Sequence, residues 1–584
     1  MDTGMDTQKG SSAFDVLFTK SVPHILERIF LSLDYESLKS CLEVSITWME
    51  IIKSRSFHKR AKYLFQEEIS KDEVILWQKS WAGNTKAVKR LLLSGLLDVN
   101  HVQSDYVCQS FQPKKALTSL GVAASRGHKD VVQVLLEKGA HLNKAHEFAL
   151  TPLQKSVSLG RKVMVQMLLD GGAEPNLRDD QFSASIYEYG LTPLQEAVVK
   201  GKANLVKLLL DRGAKPNVSD KFGKTPLHQA AENGQANVVQ LLLDGGADQN
   251  ATDKDGETPL SWASSKTVAQ LLLKKGLGPN KGDNSGRTPL HWASARGYKD
   301  VVDVFLQKGA NTNQSDKDGE TPLHSAILRR HRFHDKLSLV SKFRDNQDTE
   351  TIKDDAKDVV KLLLDHGAEP NKRDKSRRTP LCLASMYGIK GVVDVLLQKG
   401  ADPNTSSKDG KTPLHFTTMN TDADTDVAIL KAIAKLLLDH GAELNKGDRS
   451  GRTPLYLASE HCKRFVAGGL GLVQCDKDLV SMLLQKGAKP NQPSNNGMTP
   501  LHCAIMNNSK EVIQLLLDHG AEPNKGDRYG KTPLHCAIKD SHKDVVQLLL
   551  DKGADPKRAD KHGMTSLALA HNRLDLLQIL KMFV

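Results

Sequence analysis

Cysteine is scarce and oddly numbered: Cys41, Cys108, Cys382, Cys462, Cys475, Cys503 and Cys536 are the only seven in 584 residues, and no two form a CxxC pair. That excludes a complete disulfide framework and a zinc knuckle, and predicts reduced, structural thiols. Aromatic residues make up only 5% of the chain, which argues against an aromatic-rich β core and for packing of Leu, Val and Ala between helices. No stretch approaches the roughly eighteen unbroken apolar residues of a membrane span, and the opening "MDTGMDTQKGSSAFD" lacks the basic-then-apolar order of a secretory signal. These absences predict an intracellular protein, cytoplasmic or nuclear, with no membrane partner.

Charge of a single sign is also missing. The formal charge is +12, but 81 basic and 69 acidic side chains are interleaved along the chain, so net charge does not select nucleic acid as the partner. Catalytic signatures are equally thin. No nucleophile and base, and no paired carboxylates, occur at a useful spacing. The glycines of "VAGGLGLVQ" (Val466 to Gln474) are not followed by the Lys-Ser/Thr of a phosphate loop. No enzyme activity of its own, no cofactor and no metal site are expected.

What the chain has is repetition. Thr-Pro-Leu begins eleven times between Thr151 and Thr532, with Thr-Ser-Leu variants at Thr118 and Thr565, and the commonest spacing is 33 residues. In the full copy "DKFGKTPLHQAAENGQANVVQLLLDGGADQN" (Asp220 to Asn250), Thr225 suits an N-cap and Pro226 the first helical position, where its missing N–H costs nothing. Gly234 suits a left-handed stop, and Val238, Leu241 and Leu242 recur at helical spacing in a second helix. "GADQN" and "DKDG" then supply turn residues for a projecting hairpin-like loop. One such helix pair cannot bury its own apolar face but a stack can, so the expected fold is an all-α solenoid.

The period and the pattern GxTPLHxA…GxxxVVxLLLxxGAxxN closely resemble the ankyrin repeat over residues 80–584, about fourteen copies including a worn first one, "WAGNTKAVKRLLLSG". Longer spacings place inserts near 177–190, 328–355, 418–428 and 460–476, and the short repeat after Thr258 predicts a clipped turn between its helices. The histidines of the Thr-Pro-Leu-His slot (His228, His291, His324, His415, His502, His535) lack acid or thiol companions at metal spacing and read as hydrogen-bonded structural residues. Trp262 and Trp292 share one register and read as packing residues.

Before the repeats, residues 1–20 read as disordered, and 22–52 match nothing else in the chain. In this stretch Val22, Pro23, Ile25, Leu26, Ile29, Phe30, Leu33, Leu38, Val44 and Trp48 mark three short amphipathic helices too small to bury their own apolar surface. Their order resembles an F-box, although Ile46 stands where a basic residue is frequent. The resemblance implies that residues 21–55 dock on a Skp-family adaptor of a cullin-based ubiquitin ligase while the repeats hold the target, making the chain a substrate receptor. The alternative is that these helices, with the helical linker at 56–79, only cap the repeat stack of a scaffold. Partner contacts fall on what the repeat leaves variable. On resemblance to ankyrin proteins these are hairpin tips and first-helix ends: Lys221, Phe222, Glu232, Asn233, Lys375, Met386, Tyr387, Arg449, Arg528, Tyr529 and Lys561. "NKRDKSRR" (Asn371 to Arg378), with five positive residues against one negative, reads either as a site for an acidic partner segment or as a solvated loop balanced by the acids of the preceding helix end, "LLLDHGAE". Nucleic acid is disfavoured because the loops lack regular aromatic interleaving.

Overall fold

A computed structural model of the chain describes residues 66–583 apart from 94, 96, 104–116, 144–149, 179–190, 333–348, 420–426, 461–463, 466–471, 474–476 and 541. The F-box-like stretch, with Val22 to Trp48, lies outside the described residues, as does most of each expected insert. The chain divides into two compact units, Met1–Lys254 and Asp255–Val584. Each is a row of antiparallel helix pairs in which first helices pack on first helices and second helices on second helices.

The repeat around Thr225 shows why the sequence folds this way. Thr225 is extended (φ −82°, ψ 166°), Pro226 opens the helix Pro226–Glu232, and Asn233 closes it before Gly234 turns left-handed at φ +67°. The second helix, Ala236–Asp244, buries Val238, Val239 and Leu242, whereas Leu241 is only half-buried. In the hairpin, Oδ1 of Asp220 accepts the backbone N–H groups of Phe222 and Lys224 at 2.9 Å, closing the turn with its own carboxylate. Gly223 is required twice over: its φ is +84°, and a Cβ there would lie 2.7 Å from the backbone nitrogen of Lys254 on the next tip.

The Asn that ends each repeat is a rivet between neighbours. Oδ1 of Asn217 accepts the N–H of Asp248 at 2.7 Å while its amide donates to the carbonyl of Gly246 at 3.2 Å. Asn371 treats Asp402 and Gly400 in the same way in the second unit. A side chain with both an acceptor and a donor serves two backbone groups of the neighbouring repeat at once.

The short repeat after Thr258 departs from expectation. The loss falls on the first helix itself, which shrinks to one 3-10 turn, Pro259–Trp262, before Ser265 caps the helix Lys266–Lys274. Arg296 of the following repeat occupies the shortened region: its guanidinium lies 4.6 Å from the Trp262 ring centre and 5.1 Å from that of Trp292, and Nη1 donates to the Ser261 carbonyl at 2.5 Å. Helices Pro322–Arg332 and Thr349–Asp365 run into the 328–355 insert from either side. The 460–476 insert contains a two-stranded ribbon, Arg464–Phe465 with Leu472–Val473, and a second ribbon pairs Val102–Gln103 with Leu117–Thr118. Among the described residues the elements apart from these short strands and the 3-10 turn are α-helices, as expected. No helix among the described residues is long and apolar enough to cross a membrane.

Candidate functional site

The histidine ladder is architecture. In each of His291, His324, His415, His502 and His535, Nδ1 accepts the N–H and hydroxyl of the N-cap threonine, and Nε2–H reaches a backbone carbonyl of the next repeat, as from His291 to Glu320 at 3.1 Å. That tautomer links two repeats through one ring. Burial pushes His291, His324 and His415 down to about 4, so they stay neutral near pH 7. His228 caps Thr225 in the same manner.

Among the described residues the cysteines give no nucleophile. Cys382, Cys503 and Cys536 are free, and burial raises all three thiols, Cys536 to about 11. A thiol raised this far holds almost no thiolate at neutral pH. Among the described residues no group of His, Cys, Asp and Glu is arranged to hold a metal ion.

Variation concentrates instead on the hairpin tips, and the backbone sets them in a row. Each tip donates one N–H to the preceding tip: Lys254 to Phe222 in the first unit, and in the second Lys317 to Ser285, Lys375 to Asp318, Lys408 to Ser376, Arg449 to Asp409, Arg528 to Asn496 and Lys561 to Tyr529, at 2.8–3.0 Å. The expected partner residues Lys375, Arg449, Arg528 and Lys561 therefore share one register, and their side chains are exposed. Lys317 and Lys408 occupy the same register and escaped the sequence reading. The position one after the residue that closes each hairpin was the signal that locates them.

The remaining predicted residues divide. Lys221 lies over its neighbour Phe222, which is half exposed, with 5.1 Å from Nζ to the ring centre. Glu232 is bound to Lys224 at 3.0 Å, tying hairpin to helix end, and Asn233 is the helix C-cap beside it. Met386 ends the helix Pro380–Met386 and Tyr387 caps it, both half-buried. Tyr529 stands beside Arg528 and is 56% exposed.

Within each unit, a stack of helix pairs with a row of variable, backbone-anchored tips defines a repeat solenoid. A family model described as "Ankyrin repeats (3 copies)" matches residues 76–179, 194–283, 265–339, 351–407, 472–560 and 526–582, and one described as "Ankyrin repeat" matches 318–375. The chain belongs to the ankyrin-repeat family, a class of protein–protein interaction modules. Among solved structures, the ankyrin repeat domain of Bcl-3, titled a unique member of the IkappaB protein family, is 28% identical over 42% of this chain and 98% of its own, with a TM-score of 0.32. No curated protein shows significant similarity to the chain.

Proposed function

We propose that this protein is the substrate-receptor subunit of a Skp-cullin-F-box ubiquitin ligase, whose repeats hold the target. The observation that carries the capture half is the row of tips: each is anchored to the previous one by a backbone hydrogen bond while its side chains face solvent. Such a surface is pre-organised, so little conformational freedom is lost on binding. The adaptor half rests on the sequence of 22–52, where Pro23, Leu26, Phe30 and Trp48 keep the F-box order. The mechanism is positioning: holding a target beside the charged ubiquitin enzyme raises effective concentration without any catalytic group from this chain.

The test is capture of a purified Skp-family adaptor by the full chain, beside a Pro23→Ala, Leu26→Asp variant whose helical signal is unchanged. Capture lost in the variant alone supports the receptor. No capture by the folded wild-type chain leaves a scaffold. One observation favours that second reading: on the helix Gln66–Ala82, Ile75 is more than a third exposed, apolar surface that the stretch 22–52 would cover as a cap.

A further inference from the structure

We infer that the hairpin tips of the unit Asp255–Val584 bind an extended acidic polypeptide whose carboxylates recur at every third residue. The inference rests on the reading that the repeats capture a protein, and it names that protein's chemistry. Lys375, Lys408, Arg449, Arg528 and Lys561 hold the same register, each donating its own N–H to the preceding tip. Asn495 fills the register between Arg449 and Arg528, donating to Ser450. Among the described residues, no carboxylate lies within ion-pair distance of those five cations, and all are exposed.

The acids of the same tips are mostly turned inward. Asp374 accepts the Arg378 backbone and pairs with its guanidinium, and Asp448 does the same for Arg452. Asp527 accepts the N–H groups of Tyr529 and Lys531, and Asp560 those of His562 and Met564. Of the outward acids, Asp409 stands beside Lys408 and Asp318 beside Lys317. The tips that carry no outward acid are therefore those of Lys375, Arg449, Arg528 and Lys561.

Arg377 adds an independent sign. It occupies the tip position that Gly223 fills in the Asp220 hairpin, with φ +59°, the left-handed region that disfavours any residue with a Cβ. The hairpin bears this strain and gains an exposed guanidinium at the tip, the pattern expected where strain serves a binding surface.

Spacing selects the ligand. Each repeat contributes two hydrogen-bonded chain passes, and at about 4.8 Å per pass equivalent tip residues stand about 10 Å apart. A polyproline-type chain rises about 9.3 Å per three-residue turn, so acids at every third residue share one face and meet successive tips. A nucleic-acid backbone carries charge far more densely, and its single strands are held by regular aromatic platforms, whereas this row has one exposed tyrosine, Tyr529.

The experiment measures fluorescence anisotropy of the full chain with a labelled peptide of about twenty residues built from Glu-Pro-Ser triplets. A peptide of equal composition with scrambled glutamate spacing and a single-stranded oligonucleotide of similar length serve as competitors. The triplet peptide binds tightest. Arg449→Glu with Arg528→Glu weakens it about tenfold, while Lys435→Glu with Lys510→Glu, equal in charge but on second helices, changes it less than about twofold. Arg377→Gly weakens binding yet leaves the unfolding midpoint at or above wild type, a combination that a purely structural role does not give. Equal binding of the scrambled peptide, equal effects of the two double variants, stronger competition by the oligonucleotide, or no peptide binding overturns the inference. The adaptor assay is separate: lost adaptor capture with peptide binding intact removes the ligase reading alone, and the reverse removes only this one.

Discussion

The same slot is filled by different chemistry in different repeats: glutamine in two repeats of the first unit, histidine in a third, at His228, and in five repeats of the second. In the first, Gln154 and Gln195 cap Thr151 and Thr192: Oε1 accepts the threonine N–H at 3.0 and 2.9 Å, and Nε2 donates to the carbonyls of Leu191 and Val218. In the second, His291, His324 and His415 perform the same two bonds with Nδ1 and Nε2. What the position demands is therefore one acceptor and one donor at fixed separation, and either an amide or a neutral imidazole satisfies it. The imidazole adds proton sensitivity. An amide has none.

That difference predicts the largest effect. Folded His291, His324 and His415 sit near 4 against 6.5 in the unfolded chain, so the unfolded state takes up protons first as pH falls. Stability is intact above pH 6.5, declines between 6.5 and about 4 by about 1 kcal/mol per pH unit for each histidine, and levels off below. Urea titrations of a triple variant with glutamine at these positions show a flatter pH profile across that window. An unchanged profile would break the comparison.

Core deletions test where the units agree. Leu242→Ala in the first unit and Leu396→Ala in the second remove equivalent, fully buried side chains, and each costs about 2–5 kcal/mol in denaturant unfolding. A large inequality between them would show that the second helices do not pack alike.

The arginine–tryptophan contacts separate the units again. Arg126 lies 4.4 Å above Trp81, which is 39% exposed, whereas Arg296 is held between the nearly buried Trp262 and Trp292. Desolvation strengthens such contacts, so Arg296→Ala costs about 2 kcal/mol or more and Arg126→Ala about 0.5–1, read as shifts in unfolding midpoint. The smallest effect, about 1 kcal/mol each, follows Asn217→Ala and Asn371→Ala, and amide hydrogen exchange at Asp248 and Asp402 reports the lost bonds.

Much of this was legible before any coordinates. The N-cap threonines, the Pro at the first helical position, the Val and Leu of the second helices and the left-handed glycines follow from local backbone and side-chain chemistry, and each stands where its type predicts. The register of the basic tips was half legible: Lys375, Arg449, Arg528 and Lys561 were named from the resemblance to ankyrin proteins, but Lys317 and Lys408 were not, because the row is created by hydrogen bonds between repeats. The clipped helix at Pro259–Trp262 was misplaced into the turn, since the sequence records three missing residues without saying which element yields them.

The sequence by itself determined the repeat, its helix pair, its punctuation and the types of residue at each tip, because caps, prolines and left-handed glycines act within a few residues of themselves. Only the tertiary structure decided which groups meet across repeats: Arg296 between two tryptophans, Asn371 on Asp402, each tip on the last. Those contacts join residues separated by a repeat or more, and their geometry exists only once neighbouring pairs have stacked.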